Sequence, residues 1–121
     1  MTIINARVHA LLDYVVVCLL AVAPTVFHFA GVPATLAYAL AAVHLVLTLC
    51  TDFPGGVLKL VPLSLHGAVE FVVSLALVGA AWILKFSTDI NARNFYVGTG
   101  VLILLVWLLT DYKSTTRALP A

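Results

Sequence analysis

Two short stretches of this chain place a histidine four residues before a carboxylate, a pattern that suits cation binding. His9 precedes Asp13 at the start of one apolar stretch, and His66 precedes Glu70 at the start of another. Residues four apart share one face of a helix, so each pair would present its imidazole and its carboxylate side by side. Imidazole and carboxylate groups bind Zn, Fe and Mn ions in proteins. The candidate metal ligands are therefore His9, His66, Asp13 and Glu70, and the candidate cofactor is a divalent metal ion.

A second repeated pattern closes the other two apolar stretches. Thr51-Asp52-Phe53 ends one of them, and Thr110-Asp111-Tyr112 ends the other. If every stretch crosses a membrane, both aspartates lie on the same side as the histidine–carboxylate pairs. Charged groups within membrane spans are costly, face the bundle interior and mark candidate functional sites. We therefore predict one polar, cation-binding cluster at this end of the molecule, made of His9, Asp13, Asp52, His66, Glu70 and Asp111.

Three interpretations of this polar cluster stay open. It is a metal site, or it handles protons or other cations, since a histidine beside a carboxylate can titrate near neutral pH. Otherwise it is a structural network, in which carboxylates pair with basic residues and histidines bond carboxylates on the neighbouring hairpin. The basic residues on the same side are Arg7, Lys59, Lys113 and Arg117.

Three further polar residues are secondary candidates. His44 and Thr48 share one face of the second apolar stretch, and Ser74 extends the face of His66 by one more turn. A haem is not expected, because by helix rise His9 and His66 lie about 12 Å nearer the membrane surface than His44. No residue is predicted to be catalytic, because the sequence has no phosphate-binding loop, nucleophile elbow or His-Glu-x-x-His motif.

The elements that carry these residues are long and apolar. The chain is 64% hydrophobic and 9% charged, whereas ordinary soluble domains are roughly 45–50% apolar and about 25% charged. A bilayer span needs about 20 mostly apolar residues, and four spans are predicted, at about 9–29, 33–52, 64–85 and 93–112. Gly31 and Pro33 separate the first two spans. Because backbone groups in lipid must bond within their own segment, all four are expected to be helices.

The predicted fold is all-α: an integral membrane four-helix bundle built from two parallel-repeat helical hairpins, forming a single membrane domain over 1–121. Repeat one covers about 7–53, an interfacial linker about 54–63, and repeat two about 64–112. Two helices return the chain to its starting side, so the hairpins are related by an axis along the membrane normal. Asp13 and Pro24 argue against a cleaved signal peptide, so we expect the first span in the mature protein.

The distribution of charge indicates the orientation and the partners. More basic residues lie on the side that holds both termini than on the other side, which predicts that the N- and C-termini are cytoplasmic. A net charge of +1 without a basic stripe argues against a nucleic-acid partner. The expected partners are the lipid bilayer and, as a candidate, a second copy of the chain in a homodimer. The sequence does not identify any other protein partner.

The centre of the chain resembles the SPW-repeat family of small bacterial membrane proteins. The run from Thr51-Asp52-Phe53 to His66 is similar to that family's passage from a Thr-Asp-aromatic helix end to a Pro-x-x-x-His helix start. The Ser-Pro-Trp signature is reduced to Pro24 in the first hairpin and to Trp82 in the second. The resemblance implies a location in the bacterial inner membrane, and the family brings no established reaction.

The sequence predicts a small multi-pass membrane protein, and it favours a non-enzymatic module over an enzyme. The histidine–carboxylate cluster at the cytoplasmic end would hold the two repeats together and would be able to bind a cation or protons. The alternative is a membrane metalloprotein or metalloenzyme that uses the same histidine, aspartate and glutamate side chains.

Overall fold

A computed structural model describes residues 2–113 of the protein. Within this range the chain forms four α-helices: α1 (Ala6–Val26), α2 (Val32–Cys50), α3 (Leu63–Ile83) and α4 (Ile90–Leu109). Extended pairing in this range is limited to two isolated bridges. The prediction of an all-α fold with four helices is confirmed. Arg117, one of the basic residues assigned to the cytoplasmic side, lies outside the described residues.

All four helices are long and apolar enough to cross a membrane. They contain 21, 19, 21 and 20 residues, and since each residue adds about 1.5 Å, each helix matches a hydrocarbon core of about 30 Å. Large apolar side chains are exposed along the helices, as contact with lipid requires; examples are Val43, Val72 and Ile83. Their length and composition indicate a multi-pass membrane protein.

The first and fourth helices begin earlier than predicted, at Ala6 and Ile90 rather than near positions 9 and 93. The cause is a capping side chain before each helix: Asn5 accepts a hydrogen bond from a backbone N–H of α1, and Asp89 does the same for α4. Such caps satisfy N–H groups that have no partner within the helix. The predicted helix starts rest on the apolar residues alone. The cap of α1 instead places His9 inside the helix rather than at its first residue.

The helices pack as two hairpins, α1 against α2 and α3 against α4. Helices in lipid associate through close contact of small residues, and the interior accordingly contains fully buried alanines, among them Ala23, Ala37 and Ala81. A Cβ atom built on Gly100 would lie 2.8 Å from the backbone oxygen of Ser74. The backbone of α4 therefore lies directly against the backbone of α3 at this glycine.

Two short extended contacts join the hairpins at the end of the molecule that carries the histidine–carboxylate pairs. Thr110, after α4, bridges to Ile4, before α1, and Thr51, after α2, bridges to Val61, before α3. The residue after each threonine donates its backbone N–H to the bridge partner, over 2.8 and 2.7 Å respectively. The end of each hairpin thus lies beside the start of the other. The contacts are equivalent in the two halves, while the boundaries of the repeats stay a prediction.

Candidate metal centre

The four candidate metal ligands meet between α1 and α3. His9 and Asp13 project from α1, and His66 and Glu70 from α3. Both histidines are fully buried, and the two acidic residues are 2% and 5% exposed. One ligand atom from each residue lies within 4.8 Å of the ligand atoms of the other three. A single ion can therefore contact all four side chains, which we call the metal centre.

Each carboxylate in the metal centre contacts both imidazoles. Asp13 Oδ1 lies 3.2 Å from His9 Nε2, and Asp13 Oδ2 lies 3.1 Å from His66 Nε2. Glu70 Oε2 lies 3.0 Å from His9 Nε2, and Glu70 Oε1 lies 3.3 Å from His66 Nε2. A tetrahedral zinc ion with bonds of about 2.0–2.1 Å separates its ligand atoms by about 3.3–3.4 Å. The four nitrogen–oxygen distances are close to this separation, so small side-chain movements accommodate an ion.

The second nitrogen of each imidazole bonds a threonine from the opposite hairpin. His9 Nδ1 lies 2.8 Å from Thr110 Oγ1, and His66 Nδ1 lies 2.7 Å from Thr51 Oγ1. Each threonine hydroxyl donates its own hydrogen to a backbone carbonyl oxygen one turn earlier, at 2.6 Å. Because a hydroxyl has only one hydrogen, the threonine accepts and the imidazole donates in the histidine–threonine bond. We therefore assign a hydrogen to Nδ1 of each imidazole.

This assignment leaves a lone pair on Nε2 of each neutral imidazole, facing two carboxylates. Within residues 2–113, neither Nε2 atom has a hydrogen-bond partner. Carboxylate oxygens come as close as 3.0 Å to these nitrogens, but they lie away from the line of an N–H bond. Buried polar atoms are nearly always satisfied. A cation placed between the nitrogens and the oxygens satisfies all of them, as in metal sites whose histidines are oriented by a second hydrogen bond.

Two aromatic rings cover the metal centre on the side of the helix ends. Phe53 and Tyr112 each follow one of the two threonines by two residues. The ring centre of Phe53 lies 5.5 Å from that of His66, and the ring centre of Tyr112 lies 5.5 Å from that of His9. The aromatic residue of each Thr-Asp-aromatic triplet therefore separates one imidazole from the membrane surface.

Tyr112 also contacts a candidate ligand directly. Its hydroxyl donates a hydrogen bond to Glu70 Oε2 over 3.1 Å. Burial and the nearby Glu70 carboxylate raise the pKa of the Tyr112 phenol above its usual value, so the phenol keeps its hydrogen and remains a donor. The ring fits because position 67 is a glycine: a Cβ atom on Gly67 would lie 2.7 Å from Tyr112 Cε1.

Asp52 and Asp111 do not belong to the metal centre. Both are half-buried and follow the last residues of α2 and α4, and Asp111 Oδ1 accepts a hydrogen bond from the backbone N–H of Lys113 over 3.0 Å. The backbone is extended at the threonine after each helix and then bends, and the N–H of Phe53 donates to the backbone oxygen of Thr51 over 3.0 Å. The threonine and the aromatic residue of each triplet point inward, and the aspartate between them points outward.

The predicted pairing of the buried carboxylates with basic residues is not found within residues 2–113. The ion-pair contacts of Asp13 and Glu70 in this range are all with imidazoles. Lys59, at the exposed linker, instead donates to the backbone oxygen of Phe53 over 2.7 Å. The contacts from His9 to Glu70 and from His66 to Asp13 join the two hairpins, as the structural interpretation expected.

His44 lies nearer to the metal centre than the comparison of helix depths predicted. His44 Nε2 is 3.6 Å from Asp13 Oδ1, and its ring centre is 6.2 Å from that of His66. Helix rise gives the depth of one histidine relative to another and leaves out the carboxylates at intermediate depth. Asp13, one turn deeper than His9 on α1, reaches the level of His44.

The other two secondary candidates differ in their surroundings. Ser74 is fully buried, and its hydroxyl donates to the backbone oxygen of Phe71 over 2.7 Å, so it is satisfied within α3. Thr48 is also fully buried, on the same face of α2 as His44, but its hydroxyl has no hydrogen-bond partner in the described part of the chain. Neither belongs to the group of four candidate ligands.

Four residues of the site were not predicted from the sequence: Thr51, Phe53, Thr110 and Tyr112. Their signal was present, because the threonine and the aromatic residue recur at both helix ends together with the aspartate. The prediction chose the aspartate because it is the charged member of the triplet. The hydroxyl group matters instead, since it orients a histidine through Nδ1, the ring nitrogen that does not face the carboxylates.

Comparisons with protein families, with curated proteins and with solved structures find no match to this chain. Membership of the SPW-repeat family therefore stays a prediction, and the functional argument rests on the geometry of the metal centre.

Proposed function

We propose that the protein is a membrane metal-binding protein that holds one divalent cation between its two hairpins. The ligands are His9, Asp13, His66 and Glu70. The observation that carries the proposal is the orientation of the imidazoles: each Nδ1–H is bonded to a threonine, so each Nε2 lone pair faces two carboxylates. An ion at this point takes the place of the protons on the two Nε2 atoms and makes four metal–ligand bonds.

The charges of the metal centre support a divalent ion. Two neutral imidazoles and two carboxylates carry two negative charges, which a divalent cation cancels, and uncompensated charge in a buried site is costly. Two protons, one on each Nε2 atom, achieve the same balance in the metal-free protein. Protons and metal ion therefore compete for the same four side chains, and metal binding must release protons.

The ligand set favours zinc among the common divalent ions. Calcium prefers six to eight oxygen ligands and magnesium prefers octahedral oxygen coordination, whereas zinc binds four nitrogen, oxygen or sulfur ligands tetrahedrally. Fe and Mn ions also accept imidazole and carboxylate ligands. Zinc is therefore the first ion to test.

The proposed role of the ion is to hold the two hairpins together, without catalysis. Sites with four protein ligands are typical of structural zinc, whereas catalytic zinc keeps a position for water or substrate. The resemblance to SPW-repeat proteins supports a bacterial inner membrane location with cytoplasmic termini as part of the same proposal. A homodimer is also proposed, and size-exclusion chromatography with light scattering in detergent tests it.

The test is the metal content of the protein purified in mild detergent without chelator, before and after incubation with zinc. About one ion per chain is expected for a mononuclear site, with little or none in a His9→Ala/His66→Ala double variant. His28→Asn is the matched control, because His28 is exposed and lies beyond the opposite end of α1, outside the metal centre. Its positive φ of 57° suits asparagine.

Two results would contradict the proposal. One is the absence of bound zinc from the native protein after loading, together with lower thermal stability of the double variant, which would leave the cluster as a structural network. The other is equal zinc content in the native protein and in the double variant, which would place the ion elsewhere. Helix content measured by circular dichroism shows whether the double variant is folded.

A further inference from the structure

A groove lies between α1 and α4 at the end of the bundle opposite to the metal centre. Its volume is about 510 Å³, within the range of about 300–1,000 Å³ for sites that bind small molecules. Its walls are the second half of α1, the two residues Phe27 and His28 that follow it, and the first half of α4. A Cβ atom built on Gly98 would meet no atom within 4 Å. The two helices therefore leave this space unfilled.

The inner part of the groove lies within the membrane-spanning length of both helices. Leu19 is seven residues before the end of α1, and Gly98 is eight residues after the start of α4. At about 1.5 Å per residue, the groove extends about 10–12 Å below the helix ends. Its floor is formed by Phe95 and Thr99, which are 9% and 4% exposed, whereas Val26 at its edge is 56% exposed. Since both helices are apolar enough to cross a membrane, this part of the groove opens to hydrocarbon.

Polar side chains line the mouth of the groove. His28, Asn91 and Asn94 are exposed there, at the level of the helix ends, where a bilayer has its headgroup layer. Asn91 Nδ2 donates to the backbone oxygen of Phe27 over 2.9 Å, which joins the two walls of the mouth. A polar mouth at this level above an apolar interior matches a lipid, with an acyl chain inside the groove and a headgroup at the mouth.

The mouth of the groove also carries a positive charge. Arg93 Nε and Nη2 each donate to Asn94 Oδ1 over 3.3 Å, so the guanidinium lies beside a residue that lines the groove. Arg93 takes part in none of the ion pairs found among residues 2–113. Asp89, at the same helix end, instead caps α4 by accepting the backbone N–H of Ala92. The remaining N–H donors of the guanidinium suit the oxygens of a phosphate group.

We infer that the groove binds an anionic phospholipid, with one acyl chain between α1 and α4 and the phosphate at Arg93. The bilayer supplies the occupant, because the inner part of the groove opens to hydrocarbon. An arginine without an acidic partner favours an anionic headgroup over a zwitterionic one, by about fivefold for one basic group at a lipid surface. Asn94 adds an amide N–H donor, since its oxygen is occupied by the guanidinium. The inference does not depend on bound metal.

The probes are phosphatidylglycerol and phosphatidylcholine, each with a photoreactive diazirine in one acyl chain. The full-length protein in phosphatidylcholine nanodiscs is irradiated with either probe at the same low mole fraction, and the labelled residues are identified by mass spectrometry. Labelling of the groove is divided by labelling of Val43 and Val46, which are exposed on α2 and do not line the groove. This relative labelling should be about fivefold higher with phosphatidylglycerol.

Two variants with matched controls test the position of the lipid. Arg93→Gln should remove the preference, so that both probes label the groove equally. Lys85→Asn should retain it, because Lys85 is exposed at the same end without lining the groove, and its φ of 63° suits asparagine. Gly98→Leu should fill the groove and lower its labelling by both probes to the level of α2. Val101→Leu, exposed on α4 outside the groove, should leave labelling unchanged.

Three outcomes would overturn the inference. Equal labelling of the groove by both probes in the native protein would mean that the groove takes any acyl chain and does not recognise the headgroup. Loss of the preference in Lys85→Asn as well as in Arg93→Gln would assign it to the overall positive charge of this surface. Groove labelling that persists in Gly98→Leu would place the acyl chain elsewhere.

Discussion

Replacing Thr51 with valine tests whether a threonine orients a metal ligand. Valine has nearly the shape of threonine, but it cannot accept the hydrogen bond from His66 Nδ1, which is 2.7 Å from the hydroxyl oxygen. Thr51 is fully buried, so solvent does not replace the lost acceptor. In the variant the imidazole is free to rotate or to carry its hydrogen on Nε2, and either change removes a ligand from the ion.

The hydrogen bond that Thr51→Val removes determines how far zinc affinity and stability should fall. Loss of a hydrogen bond behind a metal-bound histidine typically lowers metal affinity by about 10–100-fold, which is about 1.4–2.7 kcal/mol. The metal-free protein is expected to lose about 1–3 kcal/mol of unfolding free energy, because a buried N–H group is left without an acceptor. Thr110 makes the equivalent bond to His9, over 2.8 Å. Thr110→Val should therefore have a similar effect, and the double variant should bind zinc more weakly than either single variant.

The assay is competition for zinc between the protein in detergent and a chromophoric chelator, with thermal unfolding measured on the same samples. Thr48→Val is the matched control, because this threonine is also fully buried on α2 and its hydroxyl has no hydrogen-bond partner among residues 2–113. Its zinc affinity should be unchanged, and its stability unchanged or higher. If Thr51→Val and Thr48→Val bind zinc equally well, the assignment of the hydrogen to Nδ1 is refuted.

Three further predictions concern protons, helix packing and the covering tyrosine. Zinc binding should release about two protons per ion and weaken as the pH falls, because protons occupy Nε2 of both histidines in the metal-free protein. Titration calorimetry in buffers of different ionisation enthalpy measures the number of protons released. If no proton is released, protons and zinc do not compete for the four side chains. Gly100→Ala should cost about 1–3 kcal/mol of unfolding free energy by overpacking, since its Cβ would lie 2.8 Å from the Ser74 oxygen. Gly98→Ala, with no atom within 4 Å of its Cβ, should be neutral, and equal melting temperatures for these two variants would disprove the close contact. Tyr112→Phe should lose about 0.5–1.5 kcal/mol with the hydrogen bond to Glu70 and should still bind zinc; a variant without zinc would make the tyrosine essential to the site.

The sequence by itself determined the helices and the four candidate ligands. Hydropathy is a local property, and a run of about 20 apolar residues in lipid has to be helical. The spacing in His9–Asp13 and in His66–Glu70 is also local, because residues four apart share a face of any helix. The caps Asn5 and Asp89 are local signals too, since a side-chain acceptor just before an apolar run marks a helix start, and they account for the early starts of α1 and α4.

Only the tertiary structure decided which polar groups meet. Helix rotation depends on packing between helices, so no local pattern shows that Asp13 contacts both His9 and His66. The threonines after α2 and α4 are held in place by the bridges to Val61 and Ile4. Thr51 and Thr110 thereby reach the imidazoles while Asp52 and Asp111 do not. His44 lies at the level of Asp13 because antiparallel helices bring together residues that are far apart in the chain.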